Sequence, residues 1–322
     1  MEIYQWIGLF VISLAVLLKS AQYFTETSEK IGLHFHIPPF IIGVTIIAFG
    51  TSLPEIATSL ISVFQGHSEI VIGNVVGSNI ANILLVMGGA AVIGKNLLVN
   101  KDIIKIDLPI LLGSTILLYL TTIDGKFTYI DGTLCLLVLV AYIVYNTTNH
   151  RVVEGTDMQR LKKMEKEEKK EIIKLPIKYP AILIASATFL YFSADFTIKS
   201  VVNIAEFFEI GTAIIAVSAI AVGTSLPELI VSGVAARQGK ADIAIGNIIG
   251  SNIFNVLAVM GIPSLFGNLT IPKEFITFTI PTLLLVTILY IFTTMDKEIS
   301  QWEGITFLLL FVAFMGKTFG II

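Results

Sequence analysis

Charge is scarce in this chain. Aspartate, glutamate, lysine and arginine make up 14% of its 322 residues, whereas a soluble domain averages about 25%. With 55% hydrophobic residues and a mean hydropathy of +0.86, the deficit excludes an ordinary soluble domain and points to a membrane protein. Cysteine is rarer still. The single Cys135 excludes an intramolecular disulfide and most thiolate metal frameworks, and inside its apolar run it reads as a small buried residue. The four histidines, His34, His36, His67 and His150, fall near the ends of apolar runs, and none stands beside the acids described below. An HExxH motif is absent as well, so an intramembrane enzyme is not expected. The first apolar segment has neither a basic N-terminal region nor a small-residue cleavage site, so it is expected to remain as a transmembrane helix. The net charge of −3 says little about partners, and no nucleic-acid partner is expected.

What the chain has in quantity is apolar runs. A spanning helix needs roughly 20 mostly apolar residues, and ten candidates fit: 3–20, 38–64, 69–94, 104–122, 129–146, 178–199, 211–236, 243–266, 275–294 and 303–321. The runs are continuous rather than alternating, which favours helices over a barrel. The fold expected is an all-α polytopic membrane protein.

Two stretches occur twice. Residues 48–59 (AFGTSLPEIATS) and 221–232 (AVGTSLPELIVS) share eight of twelve positions, and 73–88 (GNVVGSNIANILLVMG) and 246–261 (GNIIGSNIFNVLAVMG) share eleven of sixteen. Both pairs stand 173 residues apart, so the chain is an internal duplication. Tyr-Ile-Asp-Gly at 129–132 and Gln-Trp-Glu-Gly at 301–304 repeat at an offset of 172, each before a final span. The halves expected are residues 1–146 and 178–322, five spans each, joined by a charged linker at 147–177. An odd number of spans sends the second copy in from the opposite side, giving two inverted five-helix repeats with broken helices at the midplane.

The polar stretch 147–178 carries KKMEKEEKKE and nine of the 21 lysines and arginines. With it in the cytoplasm, alternate loops bring the total on that side to 17, against four opposite. The positive-inside rule then places both termini outside and the central linker inside.

Glu55 is the only formally charged residue between Lys30 and Glu69, and Glu228 the only one between Glu209 and Arg237. An acid at bilayer depth costs several kcal/mol unless it is paired or faces a polar cavity, and here one stands at the same place in each copy. Each follows a proline, Pro54 or Pro227, which removes a backbone donor and breaks or kinks the helix. The carbonyls of the preceding turns, 48–51 and 221–224, are expected to lose helical partners. Thr51 and Glu55 lie four apart on one face. Carbonyl, hydroxyl and carboxylate oxygens together form a hard-cation ligand set, and two carboxylates balance Ca²⁺. Asn74, Ser78 and Asn82 recur every four residues along one helix face, as do Asn247, Ser251 and Asn255. The glycines Gly73, Gly77, Gly246 and Gly250 read as close-packing positions. Asp195, just inside the sixth span, reads as a span-end residue like Asp124, Asp131, Glu206, Glu209, Asp296 and Glu303, with a role at an entrance as the alternative.

GTSLPE followed by GNxxGSNxxN, present twice in order, closely resembles the cation/Ca²⁺ exchanger superfamily, best the prokaryotic sodium/calcium exchangers, over essentially the whole chain. The resemblance implies ten helices, four clustered cation sites midway across the membrane, and a sliding gate made by the first and sixth spans; the compact form of the chain points to a prokaryotic inner membrane. It assigns the ligands to Glu55 and Glu228, to Thr51, Ser52, Thr224 and Ser225, to the carbonyls of Ala48 and Ala221, and to Ser78, Ser251, Asn82 and Asn255. Some relatives carry aspartate where this chain has Asn255, so this site holds two carboxylates rather than three. The function implied is Na⁺/Ca²⁺ antiport with no cofactor and with Ca²⁺, Na⁺ and the lipid bilayer as partners. H⁺/Ca²⁺ antiport on the same fold is the alternative, and a cation channel would use the same ligands. Oligomeric state is left open, a monomer being compatible with the chain.

Overall fold

The computed structural model describes residues 3–35, 37, 39–99, 106–148, 178–207, 225–318 and 320. Helices dominate them: α1 (Ile3–His34), α2 (Pro39–Phe64) and α3 (Glu69–Gly94), α4 (Leu108–Thr122), α5 (Tyr129–Thr148), α6 (Lys178–Phe207), α7 (Leu226–Arg237), α8 (Ala241–Ser264) and α9 (Phe275–Thr294), and α10 (Gln301–Thr318). Seven candidate spans among the described residues are long and apolar enough to cross a membrane.

The elements differ sharply in burial. The most apolar window of α8 is 100% buried and that of α3 is 78% buried, against 28% for α1, α5, α6 and α9. A helix apolar or uncharged on all sides belongs inside a bundle, and α3 and α8 carry the small and amide residues that let neighbours close on them. Backbone approaches backbone where α8 crosses α2: a Cβ added to Gly250 would lie 2.5 Å from the Val44 carbonyl oxygen, and one on Gly246 would lie 2.5 Å from that of Phe40. Gly73, by contrast, looks onto the Phe275 ring at 3.4 Å. Outside this core α1 and α6 run side by side. Thr197 Oγ1 donates to Ser13 Oγ at 2.9 Å, and the Lys30 ammonium lies 5.8 Å from the centre of the Tyr179 ring.

Several features recur at the duplication's offset. α2 is interrupted at Ser52 (φ −86°, ψ 2°), and Ser225 at the start of α7 takes nearly the same conformation (φ −88°, ψ 5°). Wide π-helical turns begin at Asn82 in α3 and at Asn255 in α8. Asp131 Oδ2 accepts from the Thr128 N–H at 2.8 Å and hydroxyl at 2.7 Å. Glu303 Oε2 accepts from the Ser300 N–H at 2.7 Å and hydroxyl at 2.8 Å. These are matching capping boxes at the starts of α5 and α10. A Cβ on Gly132 would meet Gly261 O at 2.9 Å, and one on Gly304 would meet Gly88 O at 2.8 Å. Each crossing joins a residue of one copy to the other copy.

Four sequence expectations need correction. Two antiparallel ribbons interrupt the all-helical plan: β1 (Asn96–Leu98) pairs β4 (Glu298–Ser300), and β2 (Lys126–Phe127) pairs β3 (Leu269–Thr270). The first span does not stop at residue 20, because the helix continues through the good helix formers Ala21, Gln22, Glu26 and Glu29 to His34. Lys19 and Lys30 therefore sit on α1 and not in a loop, and Glu29 pairs with Lys240 at 2.6 Å. The sixth span likewise runs past 199 to Phe207. Asp195 is held by Lys199 one turn on, at 2.7 Å, on an exposed face, so its carboxylate is engaged on its own helix. The linker at 147–177 lies outside the described residues apart from the last turn of α5.

Candidate functional site

The interruption at Ser52 follows from the sequence two residues on. Pro54 has no N–H to offer the Gly50 carbonyl, so the helix relaxes at Ser52 and restarts at Leu53 with proline in its first turn. Glu55 follows in that same turn, fully buried. The second copy repeats the pattern, with Ser225, then Leu226, Pro227 and a fully buried Glu228.

The carbonyl of Ala48 is not set free as the sequence suggested. It accepts from the Ser52 N–H at 3.0 Å and from Thr51 Oγ1 at 3.2 Å. The bend is tight enough to keep the i→i−4 bond across it, and the missing donor belongs to Gly50 instead. Ala221 and Thr224 lie outside the described residues.

The other assigned residues, Thr51, Ser52, Glu55, Ser78, Asn82, Ser225, Glu228, Ser251 and Asn255, are all buried. Ser52 Oγ reaches across to Glu228 Oε1 at 3.5 Å, so the first copy's hydroxyl serves the second copy's acid. Thr51 Oγ1 stands 3.3 Å from Ser251 Oγ and 3.2 Å from Asn247 Oδ1. Glu55 and Glu228 are close enough to repel. Among the described residues neither oxygen of Glu55 has a hydrogen-bond partner, nor does Glu228 Oε2 or the Ser225 hydroxyl. No described lysine, arginine or histidine pairs with either acid. Two buried carboxylates facing hydroxyls, with no protein cation between them, are matched to a hard cation.

Asparagine amides tie these helices together. Asn74 Nδ2 donates to Ser59 Oγ at 3.1 Å and to the Glu55 carbonyl at 3.2 Å. Asn247 Nδ2 donates to Ser232 Oγ at 2.9 Å, the same clamp 173 residues later. Sequence reasoning passed over Asn79 and Asn252, which occupy the crossing of α3 and α8. Asn79 Nδ2 donates to the Asn252 carbonyl at 3.1 Å, and Asn255 Nδ2 donates to Asn79 Oδ1 at 3.0 Å. Their signal was their presence in both copies of GSNxxN. Asp107, inside the fourth expected span, was also passed over; it starts α4, is buried, and accepts from the Tyr142 hydroxyl at 2.8 Å. A cavity of about 610 Å³ between α3, α9 and α10 is lined by Asn74 and Ser78 and also by Glu274, Thr277 and Lys317.

Comparison with known proteins gives a consistent picture. The family model described as sodium/calcium exchanger protein matches residues 5–148 and 178–319. Sodium/calcium exchanger MaX1 of Methanosarcina acetivorans is 32% identical over 95% of this chain and 96% of its own length. Inner membrane protein YrbG of Escherichia coli is 30% identical over 94% of this chain and 92% of its own. Among solved structures, the sodium-calcium exchanger NCX_Mj soaked with 100 mM Na⁺ and 10 mM Sr²⁺ superposes with a TM-score of 0.81 at 30% identity, covering 97% of this chain and 98% of that one.

Proposed function

The chain belongs to the sodium/calcium exchanger family, and from that premise we propose that it exchanges Na⁺ for Ca²⁺ by alternating access. Glu55 and Glu228 are the shared carboxylates, Thr51, Ser52, Ser225, Ser78 and Ser251 supply hydroxyl oxygens, and Asn82 and Asn255 supply amide oxygens. Ala48 contributes its carbonyl oxygen by exchanging the bond from the Thr51 hydroxyl for the ion while keeping the one from the Ser52 N–H, and Thr224 and Ala221 complete the set by their place in the duplication. The observation that carries this reading is the pair of fully buried glutamates with no cationic side chain beside them among the described residues. A single Ca²⁺ or a pair of Na⁺ ions neutralises two carboxylates, so the two loads compete for the same oxygens. Each load must bind the outward- and inward-open states with different free energies to drive exchange.

The architecture proposed is ten spans in two inverted five-helix repeats, 1–146 and 178–322. Its support lies in the exchanged pairings. An axis that swaps the copies carries the β1–β4 ribbon onto the β2–β3 ribbon, and the Gly88–Gly304 crossing onto Gly261–Gly132. Termini outside and the 147–177 linker in the cytoplasm remain the orientation proposed, on the lysine and arginine asymmetry.

Radiolabelled Ca²⁺ uptake into proteoliposomes tests the coupling. Vesicles loaded with Na⁺ and diluted into Na⁺-free buffer are expected to accumulate Ca²⁺, and Na⁺-free vesicles are not. Uptake indifferent to Na⁺ but driven by an imposed pH gradient would overturn Na⁺ coupling in favour of protons. The hydroxyls should rank by their contacts in the same assay. Thr51→Ala removes an oxygen that touches Asn247, Ser251 and the Ala48 carbonyl and is expected to raise half-saturating Ca²⁺ about tenfold. Ser52→Ala removes one long bond and is expected to raise it about threefold. The opposite order would show that these contacts do not report the ligand geometry.

A further inference from the structure

The asparagines at the crossing of α3 and α8 are related by the 173-residue offset, yet they are bonded differently in the two copies. Asn255 Nδ2 donates to Asn79 Oδ1 at 3.0 Å. The corresponding atoms one copy over, Asn82 Nδ2 and Asn252 Oδ1, are buried and have no partner among the described residues. Asn79 Nδ2 crosses to the Asn252 carbonyl at 3.1 Å, whereas Asn252 Nδ2 turns back to Ile248 O on its own helix at 2.7 Å.

The bonds on the made side form a chain with a fixed direction. A backbone carbonyl only accepts, so the Asn252 carbonyl dictates which end of Asn79 is the nitrogen. That leaves Asn79 Oδ1, an acceptor, facing residue 255. Only a donor satisfies it, so the Asn255 nitrogen turns toward Asn79. Asn255 Oδ1 is then left buried, with no partner among the described residues. An unpartnered buried carbonyl oxygen is costly and suits a cation, since it brings a dipole without adding charge. A carboxylate at 255 would set acceptor against acceptor at Asn79.

We propose that Asn79 is a positioning residue that fixes specificity: it holds the Asn255 amide oxygen-first toward the cation and makes residue 255 a neutral ligand. Asn82, lacking the equivalent hold, keeps an amide free to turn. The inference rests on the reading of Asn255 as an ion ligand and adds the residue that orients it.

A double-mutant cycle in Ca²⁺-uptake proteoliposomes tests it, with half-saturating Ca²⁺ and maximal rate measured separately. Asn255→Ala and Asn79→Ala are each expected to raise half-saturating Ca²⁺ about tenfold with little change in maximal rate, and the double variant no more than Asn255→Ala alone. A residue that only packed the helix crossing would instead give independent effects, multiplying to about a hundredfold. That multiplication, or a wild-type half-saturation in Asn79→Ala, overturns the proposal while leaving Asn255 a ligand. A wild-type half-saturation in Asn255→Ala overturns the ligand reading and the proposal with it. Asn79→Ser, which keeps a buried hydroxyl, is carried through the same cycle so that poor folding of the alanine variant does not decide the result.

Discussion

Glu55→Gln and Glu228→Gln are each expected to reduce the proposed Na⁺-driven Ca²⁺ uptake by about 100-fold or more, and each is expected to raise the melting temperature of the ion-free protein. Both results follow from the same geometry. Each carboxylate is fully buried, the two repel, and no described basic side chain sits beside them. Leaving a buried charge without its partner costs about 3–5 kcal/mol, which in a transport step corresponds to about two to nearly four orders of magnitude in rate. In the ion-free protein the burial of these unpaired acids works against folding, and an isosteric amide removes that cost. Glutamine cannot balance a divalent ion, however, so the stabilisation that bound Ca²⁺ gives must disappear. For the native protein that stabilisation is about 2.7 kcal/mol at a hundredfold excess over Kd. Thermal unfolding of purified protein with and without Ca²⁺ reads both effects. Exposed Glu69→Gln is the control and should change neither. A Ca²⁺-dependent shift that survives in either variant would mean that the two acids do not share the ion.

This prediction also separates transport from folding. Loss of uptake in a destabilised variant says little about a ligand. Loss of uptake in a variant that is more stable without ions, and no more stable with them, assigns the residue to the site.

The glutamates were legible in the sequence because a membrane interior makes any acid conspicuous, and the duplication showed each one twice. The break before them was legible through Pro54 and Pro227, although the carbonyl it releases was misplaced: Ala48 O keeps its bond to the Ser52 N–H. Asn79 and Asn252 were legible only as repeated letters of GSNxxN, not through helical spacing. Counting in fours along one face picks out 74, 78 and 82 and sets 79 aside, but that reasoning needs a helix with a solvated side. α8 is buried on all sides and α3 on nearly all, so every face has a partner and amides on any face can be used. The ribbons escaped for a different reason. Strands of two or three residues carry no periodic signal, and their partners lie more than 140 residues away in sequence. The length of α1 was hidden because a run of Lys, Gln and Glu reads as leaving the membrane, when here it faces α7 and the loop beyond it through Gln238 and Lys240.

Gly250→Ala is expected to be severely damaging, although it adds one methyl group and improves helix propensity. Elsewhere in a helix, replacing glycine by alanine gains about 0.5–1 kcal/mol. Gly113 in α4 shows the ordinary case: nothing described lies within 4 Å of an added Cβ, so Gly113→Ala should match or slightly exceed the native melting temperature. At Gly250 the new Cβ would lie 2.5 Å from Val44 O, 2.6 Å from Ala48 Cβ and 2.8 Å from Val44 Cα. Two of those atoms are backbone, so no rotamer change relieves the contact and α2 must move away from α8. Overpacking of this kind costs about 1–3 kcal/mol, more than propensity returns. The movement also falls where the site is least tolerant. Ala48 and Thr51 lie on the displaced segment, and Thr51 is held to α8 by contacts of 3.2 and 3.3 Å with Asn247 and Ser251. A shift of about 1 Å at a positioned site can cost two orders of magnitude in rate. Gly250→Ala should therefore lower the melting temperature and also raise half-saturating Ca²⁺ at least tenfold in whatever folded protein is recovered, by roughly the logic that makes Thr51→Ala harmful. A variant as stable as Gly113→Ala, with native Ca²⁺ dependence, would show that α2 and α8 do not need this close approach. The glycine would then be incidental to the placement of those oxygens.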